Sequence, residues 1–113
     1  GISASMTIIV IDNNAHRIVE FEKLILSVFT DVQISFYESI DVTALPLLEP
    51  DILIVHRNNP EYRSILGSPS IGSYRLFFSG GYSGHFKKSD YEHHTTPNEL
   101  VTALKEVKEH LQL

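Results

Sequence analysis

Apolar positions along the chain follow two rhythms. "MTIIVI" (Met6 to Ile11) and "DILIV" (Asp51 to Val55) are short, nearly unbroken apolar runs rich in β-branched residues, the mark of parallel strands buried on both faces. "VQISFY" (Val32 to Tyr37) alternates more clearly and predicts a strand nearer the sheet edge, while the aromatic-rich "YRLFFS" (Tyr74 to Ser79) predicts a fourth strand that stops at Gly80-Gly81. The helical rhythm appears in Ile18, Phe21, Leu24, Ile25 and Val28, behind Asn13 and Asn14, either of which can cap the helix. It returns in Leu100, Leu104, Val107 and Leu111, behind Thr96-Pro97-Asn98-Glu99, which reads as a capping box with proline at the first helical position. Ser39 to Leu48 predicts a short helix curtailed by Pro46, Glu61 to Leu66 a helix of about two turns, and Tyr91 to His94 a short fifth strand. Five strands alternating with helices make an α/β sandwich. One segment fits neither rhythm: Gly80 to Asp90 holds three glycines, two serines and two lysines, and predicts an irregular crossover.

Composition narrows the classes. A length of 113 residues suits one domain with one core. The formal net charge of -5 offers no positive field for nucleic acid or an anionic membrane. The absence of cysteine excludes disulfides, a thiolate nucleophile and sulfur-ligated zinc. No apolar run approaches the ~18 residues of a membrane span, and no signal-peptide pattern opens the chain. Gly1 to Ser5 reads as a segment left by expression and residues 6–113 as a single domain, expected in the cytoplasm. No internal repeat or low-complexity segment is present.

The third strand carries the most specific stretch, "PDILIVHRNNP" (Pro50 to Pro60). Together with Asp12-Asn13 after the first strand, Ser79 after the fourth and "HHTTPNEL" before the last helix, it resembles the receiver domains of two-component response regulators, from Met6 onward. That family writes Pro-Asp, an apolar run, a phosphate-accepting aspartate, three residues and a proline. The resemblance implies a flavodoxin-like or receiver-like (βα)5 three-layer sandwich, with a five-stranded parallel sheet of order 2-1-3-4-5 and the fourth helix reduced or missing. It sets His56 at the acceptor position, Asp12 and Asn13 at the family's acidic pair, Ser79 at its hydroxyl, and His93 or His94 at its lysine.

The departures shape the functional expectation. Magnesium requires hard oxygen ligands and more than one carboxylate's charge, and only Asp12 remains here. With the acceptor and the lysine replaced as well, the resemblance implies a pseudo-receiver: not an enzyme, without metal or cofactor, and not phosphorylated on aspartate. It would serve as an interaction module in signal transduction, meeting a histidine kinase, a response regulator or an output domain of a larger regulator; a homodimer is also allowed for. The alternative is a divergent phospho-acceptor or small-ligand sensor using His56 with Asp12 and Ser79, since imidazole is a competent phosphoryl acceptor. The blander reading of His56, bonded to Asp12 or Ser79 in the old acid pocket, is preferred. Ser79 is expected to cap or turn the chain. A transition-metal set drawn from Asp12, His56, His85, His93 and His94 matches no compact ligand spacing and is not expected. The glycines near Ser79 lack the helix start and lysine of a phosphate loop. The candidate partner surface is the irregular segment, where Tyr82, His85, Phe86, Lys87, Lys88 and Tyr91 interleave aromatic and basic groups; such side chains either meet a partner or pin the loop to the core.

Overall fold

A computed structural model describes residues 6–68, 71 and 73–111; the presumed expression segment, Gly1 to Ser5, lies outside them. Among the described residues the chain forms six strands and four α-helices: β1 (Met6–Ile11), α1 (Ile18–Leu26), β2 (Val32–Tyr37), α2 (Leu45–Leu48), β3 (Ile52–His56), α3 (Glu61–Leu66), β4 (Tyr74–Phe78), β5 (Phe86–Ser89), β6 (Glu92–Thr95) and α4 (Leu100–Leu111). The sheet order is β2-β1-β3-β4-β6-β5. Every neighbouring pair is parallel except β5 and β6, which form an antiparallel hairpin.

Strand count and order therefore depart from the five-stranded 2-1-3-4-5 sheet. The segment expected to be irregular contains an additional strand, β5, at the sheet edge. Phe86, Lys87, Lys88 and Ser89 are all exposed, so the strand has no buried face to imprint an alternating pattern on its sequence. No helix lies between β4 and β6 among the described residues. The chain instead passes over the position of β6, runs out as β5, and turns back so that β6 fills the gap beside β4.

The two periodicities produce two cores, one on each side of the sheet. Ile8, Val10, Ile52, Ile54, Leu76 and Phe78 face α1 and α4, where Phe21, Ile25, Leu100, Leu104 and Val107 close over them. Ile9, Ile11, Leu53, Val55 and Phe77 face Leu45 of α2 and Ile65 of α3. Both faces of β3 and β4 are buried, which explains their unbroken apolar runs. Arg75 is the exception within β4. Its guanidinium donates to the carbonyls of Ile65, Ser68 and Ile71, at 2.8, 2.6 and 2.8 Å, binding the turn after α3 to the sheet.

Candidate functional site

The carboxyl ends of β1 and β3 bring Asp12, Asn13 and His56 together. β1 ends at Ile11 because Asp12 turns its own chain: Oδ1 accepts from Asn14 N–H at 3.0 Å. Asn14 then caps a short 3₁₀ turn, accepting from His16 N–H at 3.1 Å. That turn aims Arg17 back at the pocket, where its Nε donates to Asp12 Oδ2 at 2.8 Å. The guanidinium also lies over the Phe78 ring, 5.7 Å from its centroid, a favourable cation–π position.

His56 occupies the end of β3, stacked on Phe78 of the neighbouring strand with centroids 4.9 Å apart. Its Nδ1 stands 3.4 Å from both Asp12 Oδ1 and Asn13 Oδ1. Both neighbours are acceptors, so Nδ1 carries the proton and shares it weakly between them. Burial pushes the imidazole below its ordinary value of 6.5; Asp12 opposes that shift and Arg17 reinforces it. His56 is thus neutral at pH 7.

Arg17 changes the chemistry of the pocket. The Asp12 carboxylate is already neutralised by a cation of the chain itself. The residues present do not fit a magnesium site of receiver type, which needs several oxygens free to coordinate. The cavity beside Asp12, Arg17 and Phe21 has a volume of 40 Å³, room for a few waters and no larger ligand.

Asn59 and Glu61 brace this end of the sheet. Asn59 is buried; Oδ1 accepts from Asn13 N–H at 3.0 Å and Nδ2 donates to Glu38 carbonyl at 2.9 Å. Buried Glu61 accepts from Ile40 N–H at 2.8 Å. Together they join the loops after β1, β2 and β3. Ser79 is buried as a turn former, its Oγ accepting from Gly81 N–H at 3.1 Å; it is not among the partners of His56.

His93 and His94 are neighbours in sequence but occupy opposite faces of β6, and neither is among the partners of Asp12 or His56. His94 lies on the face lacking a helix between β4 and β6. Its Nε2 donates to Glu92 at 3.0 Å and its Nδ1 accepts from the Tyr82 hydroxyl at 3.1 Å. This chain of hydroxyl, imidazole and carboxylate has the order of a nucleophile relay. Burial, however, pushes the Tyr82 phenol up to about 12, so it stays protonated and serves as a brace. Phe86 stacks on the His94 ring, with centroids 4.9 Å apart.

His93 faces α4 with His85 and Glu106. The five residues weighed as a metal set are therefore split among three places: Asp12 with His56, His94 alone, and His85 with His93. The expected partner surface divides as well. Tyr82 and His85 pin the loop, Lys87 and Lys88 face outward, and Phe86 (46% exposed) and Tyr91 (54% exposed) each pack one side on the chain, on His94 and on Tyr74 and His110, while leaving the rest in solvent. Sequence reading missed Arg17, Asn59, Glu61 and Glu106. The break at Asn58-Asn59-Pro60 was a usable signal for Asn59; Arg17 resembles any polar residue in a helix's first turn.

No protein-family model, curated protein or solved structure matches the chain. No helix among the described residues is long and apolar enough to cross a membrane.

Proposed function

We propose that this chain is a receiver-like module that cannot be phosphorylated on aspartate and that works in the cytoplasm by binding a protein partner, within two-component-type signal transduction. The observation that carries this reading is the Asp12–Arg17 pair. Aspartyl phosphoryl transfer needs a free acidic cluster, a metal and an acceptor carboxylate, whereas here Asp12 is already paired with Arg17, and a neutral histidine packed on Phe78 stands at the end of β3. With β5 set aside, the parallel strands run β2-β1-β3-β4-β6, which supports the finer receiver-like assignment. Exposed Phe86 and Tyr91, with Lys87 and Lys88 between them, supply the surface for the partner: a histidine kinase, a response regulator or an output domain.

The test is a pair of amide NMR spectra with and without magnesium and beryllofluoride, a mimic of the phosphoryl group. Unchanged peaks for Asp12, Asn13, His56 and Ser79 are expected. Stoichiometric shifts at these residues would overturn the reading, and acid-labile mass gain from acetyl phosphate would point to His56 as an acceptor.

A further inference from the structure

Beneath the β5–β6 hairpin, on the face covered by α4, three side chains from distant parts of the chain converge. His85 Nε2 and His93 Nδ1 are 3.0 Å apart, and Glu106 Oε2 stands 3.9 Å from the first and 3.8 Å from the second. The point equidistant from these atoms lies about 2.1 Å from each, which matches zinc–nitrogen and zinc–oxygen bonds of ~2.0–2.2 Å. We propose that His85, His93 and Glu106 form a binding site for a divalent transition metal of the zinc class, and that the bound ion ties the hairpin to α4.

Three features support a site over a chance meeting. Glu106 Oε2 is buried and accepts no hydrogen bond from any described residue, a costly state for a carboxylate oxygen. The other nitrogen of His93, Nε2, faces the carbonyl of Asp90 at 3.4 Å. A carbonyl only accepts, so Nε2 bears the proton and Nδ1 turns a lone pair into the cluster, the usual outer support of a metal-binding histidine. His85 is held by its backbone: its N–H donates to Glu99 at 3.0 Å, and Gly84, at φ 142°, makes the turn that allows it.

The two rings are nearly parallel, at 5°, with centroids 5.3 Å apart. With the facing nitrogens at 3.0 Å, they meet nitrogen to nitrogen, joined by the proton of His85 Nε2. A cation entering from the Glu106 side takes the place of that proton, which moves to Nδ1 of His85 as the rings swing toward the ion. Two imidazoles and one carboxylate suit zinc and its neighbours and disfavour magnesium or calcium. Three protein ligands leave a fourth position, open to the groove that Lys87, Asp90 and His110 line.

The experiment is a zinc titration of the tag-free chain by calorimetry, repeated with His85→Ala and Glu106→Gln, with His16→Gln as control. One zinc per chain is expected, with affinity falling more than about 100-fold in either site variant, beyond the 10–100-fold typical of an outer-shell loss, and unchanged in the control. Zinc should also raise the melting temperature of the parent chain but not of E106Q. The Glu106 side chain is 41% exposed although its Oε2 is buried, so E106Q keeps the test valid even where H85A fails to fold. No binding to the parent chain, or binding that survives E106Q, would overturn the site.

Discussion

His56 and His93 both sit in the folded chain as neutral imidazoles with values lowered chiefly by burial. Their pH effect has a definite sign. As pH falls through 6.5 the unfolded chain takes up protons that the folded chain refuses, so stability falls from just above 6.5 down to the lowered folded values, and these two groups add no slope well above 6.5. Urea unfolding at pH 5 and pH 7 should show the loss, and His56→Asn should flatten part of it; equal slopes in parent and variant would exclude His56 as a source. Arg17 makes the second case at this scale. Its side chain is 29% exposed while that of Asp12 is 4% exposed, so removing the guanidinium strands a mostly buried carboxylate. Arg17→Met should cost about 1–3 kcal/mol, read by urea denaturation, and Asp12→Asn added to it should recover part of the loss. Additive losses in the double variant would mean the two groups do not couple. Arg17's role was not legible beforehand: Asp12 stood out as a carboxylate after a strand and a partner for His56, but its pairing with Arg17 is set by the 3₁₀ turn.

At the scale of elements, α4 shows how a correct helix can rest on a different start. The stripe of Leu100, Leu104 and Val107 is buried as its spacing predicts, yet the expected capping box does not form. Thr96 makes no side-chain cap bond, Pro97–Glu99 is a 3₁₀ turn, and Glu99 accepts from His85 N–H. Thr96→Ala should therefore change stability by less than about 0.5 kcal/mol. Glu99→Ala should loosen the loop around His85, seen as faster amide exchange there. A large loss from T96A would restore the box. The edges of the sheet tell a similar story. β2 was legible as an edge because its pattern alternates; β5 was not, since all four of its residues are exposed. Its lysines instead guard an unpaired edge against other strands.

For the whole molecule, cooperativity should follow the two cores. β1, β3 and β4 lie at the centre of the sheet with buried residues on both faces, whereas β5 pairs only with β6. Amide exchange should be slowest in β3 and β4 and fastest in β5, and protection of β5 equal to β3 in the isolated chain would mean that this edge is covered. What the sequence determined by itself was local and periodic: which segments, β5 excepted, are strands or helices, which face of α4 is apolar, and that the strands ending at Ile11 and His56 are buried. These follow from repeats of two or 3.6 residues, which any neighbour-covered element must write into its own residues. Tertiary structure alone decided that β6 inserts between β4 and β5, which neighbours His93 and His94 each meet, and that Glu106 of α4 meets two histidines. Such meetings depend on chain separations that carry no period, so they arise only when the packed sheet brings distant residues within bonding distance.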